Sequence, residues 1–253
     1  MKEIVFGIHA VKAIIKSNPK RCQSVYIIKD RKLNLRFKDI IWLLQHHSIL
    51  IKQVSRKWMN SKTDGLVHQG IMAIVNSASI SSEKDLKNFI KNKISPLILI
   101  LDSITDPYNL GSCLRSANAA GVDAVIIPKD RSAQVNSPIV KKVACGATEN
   151  LALFSVTNIN RTLRIIQEHQ IWIIGTTEHS KHNLYQSNMI GATALVMGSE
   201  SKGIRNLTCK YCNELISIPT RGSISSINVS VATGICLFEA VRQRYFKKKN
   251  DNF

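Results

Sequence analysis

Three stretches of this sequence gather polar side chains and glycines in patterns that chemistry can use. In the first, Asp106-Pro107-Tyr108-Asn109 leads through Gly111 to Arg115, so a carboxylate, an amide and a guanidinium follow an apolar run. Pro107 discourages helix at Asp106, Asn109 is placed to cap, and Leu110, Leu114 and Ala117 form the apolar stripe of the helix that follows. At about 100° per residue, Arg115 lies well round from that stripe, near the first turn, and can point into a cleft. In the second, residues 195–203, an apolar strand delivers Gly198 and Glu200 into a turn closed by Gly203, which brings backbone and one carboxylate close to any ligand there. In the third, residues 215–239 (LISIPTRGSISSINVSVATGICLFE), Pro219 and Gly222 punctuate a turn. Between Gly222 and Ser230 the side chains are mostly small hydroxyls and one amide, so backbone N–H and C=O groups can approach a polar ligand. Each stretch taken alone also suits a plainer role: a solvated arginine, a glycine turn, a capped strand–loop–helix corner.

All three follow apolar strands, and open α/β sheets place their ligand sites at the carboxyl ends of strands. The elements that must position them are legible from periodicity. Residues 97–101 are a continuous apolar run, as in a strand buried on both faces of a parallel sheet. A regular alternation follows: helix 110–120, strand 124–127, a helix starting at Ser137-Pro138, strand 151–155, helix 159–169, strands 171–175 and 194–197, a short helix 204–212, strand 215–218 and a last helix 230–245. This predicts an α/β fold with a mostly parallel sheet. Upstream, helices 8–15 and 37–44 and strands 24–28, 49–54 and 70–75 make a smaller α/β unit. The domains expected are therefore 1–76 and 94–253, joined by a Ser-rich, then charged linker at 77–93 that has room for a short helix.

Charge points to a partner. The 253 residues hold 35 Lys+Arg against 17 Asp+Glu, a formal net charge of +18, which suits a polyanion and above all nucleic acid. Residues 1–93 carry 18 of the basic and only 6 of the acidic groups, so the N-terminal domain is the better candidate for gripping phosphates. His9, His68 and Gln69 are polar points beside its apolar runs, suited equally to RNA contact and to structural hydrogen bonding. The six cysteines are scattered, and Cys209-x-x-Cys212 has no second pair at metal spacing, so no metal is expected. His9 and Lys12 interrupt the first apolar run, which resembles neither a signal peptide nor a membrane span, so a cytoplasmic location is expected. No Ser/His/Asp set, Walker-type loop or G-x-G-x-x-G is evident, which weighs against nucleotide hydrolases and dehydrogenases.

DPYNLGSCLRSANAAGV, LVMGSESKG and ISIPTRGSISSINVSVATGICLFEAVRQR, in that order and spacing, resemble the three signature motifs of the SpoU (TrmH-like) branch of the SPOUT RNA methyltransferases. FGIHAV, DGLVHQGI, PKDRSAQ and KKVACGA extend the resemblance over essentially the whole chain, toward the members that methylate the ribose 2′-OH of a guanosine in 23S rRNA. The resemblance implies a catalytic domain with a trefoil knot, a small N-terminal RNA-binding domain like ribosomal protein L30e, S-adenosylmethionine as methyl donor, and a homodimer with sites at its interface. It places Asn109, Arg115, Glu200, Ser226 and Asn228 at the catalytic centre. It lines the cofactor pocket with backbone at Gly198, Ile218 and Ile227, with Gly222 shaping the loop; Arg115, with His9 and Gln69 of the N-terminal domain, is the candidate set for RNA contact. Ile227 stands where leucine is usual, which a backbone contact tolerates, and Ser201 replaces a common glycine.

A neutral 2′-hydroxyl is a poor nucleophile, so something must take its proton or stabilise the forming alkoxide. An arginine is a reluctant base, so the expected role of Arg115 is to orient the hydroxyl and stabilise negative charge, with the other four residues holding it and the ribose. Two alternatives remain at this stage: the same chemistry on tRNA or another rRNA position, and a non-catalytic RNA-binding assembly factor.

Overall fold

The opening residues divide between a strand, β1 (Lys2–Phe6), and a helix, α1 (Ile8–Ser17), separated by Gly7 at φ 97°. The computed structural model describes residues 2–29, 37–77, 80–178, 180–199, 203–223 and 226–250. After α1 come β2 (Cys22–Ile28), α2 (Lys38–His46), β3 (Leu50–Val54), α3 (Arg56–Lys62) and β4 (Ile71–Asn76). The four strands form one sheet in the order β1-β4-β2-β3, antiparallel except for the β2–β3 pair. One face packs Val25, Ile27, Ala73 and Val75 against Val11, Ile14 and Ile15 of α1 and Ile40 and Leu44 of α2. On the other face, Phe6, Ile28 and Met72 pack with Met59 of α3. Alternating strand residues therefore feed two separate cores.

Two elements here escaped sequence reading. β1 is half hidden because its edge pairing, not its pattern, makes it a strand, and α3 is a seven-residue helix started by Ser55, whose side chain accepts from the Trp58 N–H. A third contribution comes from far along the chain: residues 134–150 cluster with residues 1–79. Within this unit Lys141, which is almost fully buried, is ion-paired with Glu3, which also meets Arg21, and Arg21 in turn binds Glu149. Gly146 lies so close to α1 that a Cβ there would come within 2.2 Å of the Ala13 Cβ.

The other unit comprises residues 80–133 and 151–253. Its elements are β5 (Ser81–Ser82), α4 (Glu83–Lys91), β6 (Leu97–Leu101), α5 (Pro107–Ala119), β7 (Ala124–Pro128), then, after α6 (Pro138–Val143) of the first unit, β8 (Ala152–Val156), α7 (Ile159–Glu168), β9 (Trp172–Thr176), β10 (His182–Asn183), β11 (Thr193–Met197), α8 (Asn206–Cys209), β12 (Glu214–Ser217) and α9 (Val229–Asn250). The described strands form an eight-stranded, all-parallel sheet in the order β10-β12-β9-β11-β6-β7-β8-β5. The expected α/β class with a mostly parallel sheet is what the chain forms. β6, β7 and β11 are buried at every residue, as their unbroken apolar runs require. Part of the stretch read as a linker is instead ordered structure: β5 pairs with β8, and Leu86 and Ile90 of α4 enter the core beside Phe154. A capping box between Ser82 and Asp85 starts that helix, the short helix for which the linker reading left room.

His68 supplies a measurable handle on the first unit. It is buried, its Nδ1 accepts from the Gly70 N–H at 2.9 Å, and its Nε2 therefore carries the proton and donates to Asn60 Oδ1 at 2.8 Å. Burial, then the charges of Arg56 and Lys142, lower its pKa below the usual value of about 6.5. The unfolded chain thus binds this proton more readily than the folded one. The neutral His68 contributes fully above about pH 6.5 and progressively less as pH falls toward its folded pKa. Melting curves of the full chain between pH 7.5 and 5 are expected to show a loss of stability on acidification that is reduced in His68→Gln; identical pH dependence in both proteins would contradict this assignment.

Candidate functional site

α5 begins with Asp106, whose carboxylate accepts the N–H groups of Tyr108 and Asn109 at 3.3 and 3.0 Å, and with Pro107 in the first helical position. Asp106, not Asn109, is therefore the cap, because proline at the first position fixes the cap one residue before it. This leaves the Asn109 side chain for another task. Its Oδ1 accepts from Asn228 Nδ2 at 3.1 Å, across 119 positions of sequence. Asn228 is itself held: its Oδ1 accepts from the Ser230 N–H, the Ser230 hydroxyl and the Val231 N–H at 3.0, 2.6 and 3.4 Å, which caps α9. Behind these two amides, α5 and α9 cross on small residues, with Cys113 Sγ 3.4 Å from Thr233 Oγ1 and Gly234 beside Ser116.

Beside this contact lies a cavity of about 230 Å³ at the carboxyl ends of three neighbouring strands, β12, β9 and β11. β9 contributes Thr176, Thr177 and Glu178, β11 contributes Met197, Gly198 and Ser199, and the chain after β12 contributes Ile218, Thr220 and the Ser226–Ile227–Asn228 run leading into α9. Apolar walls from Met197, Ile218, Ile227 and Val229 face hydroxyls, an amide and one carboxylate. No lysine or arginine lines it among the described residues.

The β11 wall is a hairpin closed by Ser199 N–H to Gly203 O at 3.1 Å and Gly203 N–H to Ser199 O at 2.8 Å. A Cβ on Gly198 would come within 2.0 Å of the Gly203 carbonyl carbon and 2.1 Å of the Ile204 nitrogen, so only glycine permits this closure. The far side of the hairpin is anchored by Asp102, fully buried at the end of β6. Arg205 reaches its two oxygens at 2.7 and 3.1 Å, and the Thr208 hydroxyl donates at 3.0 Å. Burial of a carboxylate is tolerated because both oxygens are paired with charge and hydroxyl donors.

The structure thus gathers Ser226, Asn228, Gly198, Ile218 and Ile227 around one cavity, with Asn109 outside the lining but hydrogen-bonded to Asn228. Gly222 is exposed and outside the lining, and Glu200 falls outside the described residues. Arg115 is exposed on α5, six residues beyond Asn109 and so about 120° round the helix from it, well past the first turn where the sequence reading put it. In the other unit, His9 is exposed on α1, and Gln69 receives the Ile8 N–H on its Oε1 at 3.0 Å, a structural bond at the start of that helix. Cys209 and Cys212 point their thiols at the Ile204 and Thr208 carbonyls, and burial pushes Cys212 up to about 12. Sequence reasoning missed Thr176–Glu178 and Asp102. The signal was present in both places: a polar residue directly after an apolar strand at the sheet's ligand edge.

Gly198→Ala is expected to disrupt the hairpin and lower affinity for the cavity's ligand at least tenfold, with a much smaller change in the melting temperature than a core substitution gives. Calorimetric titration and thermal melts check this; full retention of affinity would show that the hairpin closure is dispensable.

Residues 96–238 match the model of the family described as "SpoU rRNA Methylase family", and residues 4–81 match "RNA 2'-O ribose methyltransferase substrate binding". The chain is 54% identical over 244 residues to the 23S rRNA (guanosine-2'-O-)-methyltransferase RlmB of Escherichia coli (strain K12), covering 96% of this chain and 100% of that protein. Against the enzyme of the same name from Yersinia pestis it is 53% identical over 247 residues, covering 98% and 100%. Among solved structures, the SpoU methyltransferase AviRb from Streptomyces viridochromogenes, in complex with the cofactor AdoMet, superposes with a TM-score of 0.78 at 24% identity, covering 96% of this chain and 91% of that one. An AdoMet-bound rRNA methyltransferase from Sinorhizobium meliloti gives 0.78 at 20% identity, with 95% and 87% covered.

Proposed function

Because the chain belongs to the SpoU rRNA methylase family, we propose that it transfers a methyl group from S-adenosylmethionine to the ribose 2′-OH of a guanosine in 23S rRNA. The observation that carries this reading is the chemistry of the cavity wall. In a protein of net charge +18, the described lining is free of lysine and arginine and holds the carboxylate of Glu178. Such a wall suits a nucleoside that bears a cationic sulfonium and an ammonium, and it disfavours one that bears phosphates. Apolar Ile218, Ile227 and Val229 fit a flat base, and Thr176, Thr220, Ser226 and Asn228 fit hydroxyls and a carboxylate. When bound, S-adenosylmethionine supplies the electrophilic methyl.

In this reading the chain's own side chains take the following roles. Asn228 lines the cavity and is tied to Asn109 of α5 at 3.1 Å, and Ser226 stands two residues before Asn228 on the same loop. Arg115, exposed to solvent on α5, meets the incoming ribose and its phosphate, not the cofactor. Its guanidinium orients the 2′-OH and stabilises the developing alkoxide, while the proton leaves to a more basic acceptor, for which the substrate phosphate is available. Glu200 completes the site in this reading. The net reaction breaks the bond from sulfur to the methyl carbon, forms the bond from the 2′-oxygen to that carbon, and releases one proton. The target in 23S rRNA is the one borne by the names of relatives that match this chain end to end at about half identity.

Arg115→Ala is expected to lower turnover about a hundredfold or more on 23S rRNA while leaving the S-adenosylmethionine dissociation constant unchanged. Filter-bound transfer of labelled methyl, paired with calorimetry, makes the comparison; weakened cofactor binding with normal turnover at saturation would remove Arg115 from the chemistry.

The reading also includes a cytoplasmic homodimer. Val231, Phe238 and Tyr245 recur every seven residues along α9 and are each about half exposed or more, and Tyr108 at the start of α5 is 55% exposed. A stripe of this kind on an otherwise packed helix suits a second copy of the chain. Phe238→Asp is expected to shift sedimentation from dimer to monomer with secondary structure retained, whereas a monomeric wild type would refute the dimer. No helix among the described residues is long and apolar enough to cross a membrane.

A further inference from the structure

On the N-terminal unit, α2 carries a tryptophan where a helix facing water would place a polar residue. Trp42 is 62% exposed, and its indole lies flat on the His46 imidazole one turn later, with centroids 5.3 Å apart and planes 8° apart. His47 meets His46 edge-on at 4.9 Å. The Trp42 side chain borders an open concavity with Lys12 and Lys16 of α1 and Lys38 and Asp39 of α2. Asp39 takes up the charge of Lys12 at 3.1 Å, and Lys16 and Lys38 are exposed beside the ring.

We propose that this patch is a binding site for single-stranded RNA, in which one unpaired base stacks on Trp42 and the adjoining phosphates lie against Lys16 and Lys38. The parallel His46 ring supports the indole while 62% of Trp42 stays accessible, so little order has to be created when a base arrives. A flat aromatic face beside cations is the combination by which proteins hold single strands, because every base presents a π-face and every linkage a charge. The 16 basic against 5 acidic groups of residues 1–79 and 134–150 give this unit the complementary field. A protein partner burying Trp42 would also have to desolvate or neutralise the lysines around it, whereas RNA neutralises them as it binds.

The inference rests on the RNA-methyltransferase reading for its biological setting, but its test does not depend on catalysis. Full-length protein is titrated into fluorescein-labelled decauridylate and followed by anisotropy, with thermal melts as a control for folding. Trp42→Ala should weaken binding roughly tenfold and Trp42→Phe much less, both at unchanged melting temperature. The double variant Lys16→Gln/Lys38→Gln should reduce the slope of log K against log salt by about 1.4, the value for two phosphate contacts on a single strand. Wild-type affinity in Trp42→Ala, or an unchanged salt slope in the lysine variant, overturns the site. Methyl transfer by the wild type to protein-free 23S rRNA is measured in parallel. Absence of transfer with Trp42-dependent binding would overturn the enzymatic reading and keep the RNA site; normal transfer with Trp42-independent binding would do the reverse.

Discussion

One amide side chain fixes the geometry on which the site depends. Asn228 must turn its oxygen toward the Ser230 and Val231 N–H groups, because only an acceptor can cap them, and its nitrogen is thereby aimed at Asn109 Oδ1. The reversed amide would set donor against donor at the cap. The same residue therefore starts the last helix and ties it to α5, more than a hundred residues earlier. Everything behind the tie is built to let the two helices approach: glycine, cysteine, serine and threonine at their crossing, and no bulky side chain between Cys113 and Thr233. The far end of α9 is secured in the same spirit by Arg244, which donates to the carbonyls of Ser95, Pro96, Met189 and Gly191.

The cavity walls obey a second requirement, that backbone must pass backbone without side chains between. Gly198 meets it in the hairpin, and Asp102 enforces it from behind by holding Arg205 and Thr208. A buried carboxylate is costly unless paired, so its pairing also fixes where the turn after β11 goes. The cavity acquires its character from what is missing on its described walls as much as from what is there: in a strongly basic chain, no described residue of the lining is a lysine or arginine.

Much of this was legible in the sequence, for reasons that particular residues make clear. The apolar runs at 97–101, 124–127 and 194–197 can only be two-sided strands, and the structure buries every residue of them. Asn109, Asn228, Gly198 and Ile218 stand out through motif resemblance; the structure brings the last three to one cavity and ties Asn109 to it through Asn228. What periodicity could not give was anything decided by long-range pairing. β1 is a strand because β4 lies beside it, and β5 is one because β8 does. Asp102 reads as an ordinary acid after a strand until Arg205 arrives 103 residues later. Arg115 does not stand near the first turn: the helix begins at Asp106, not Asn109, and Arg115 lies nine residues beyond that cap.

The return of residues 134–150 to the first unit has a temporal side. Lys141 is buried against Glu3, Arg21 against Glu149, and Gly146 against Ala13, yet the chain emerges from the ribosome in order, with β5, β6, α5 and β7 preceding these partners. Until residue 150 is made, Glu3 has Arg21 but lacks its lysine, and α1 has an uncovered flank at Ala13. The amino-terminal unit is thus completed only after synthesis of the next one is well under way, so the first part of this polypeptide cannot mature before more than half of the chain has been made.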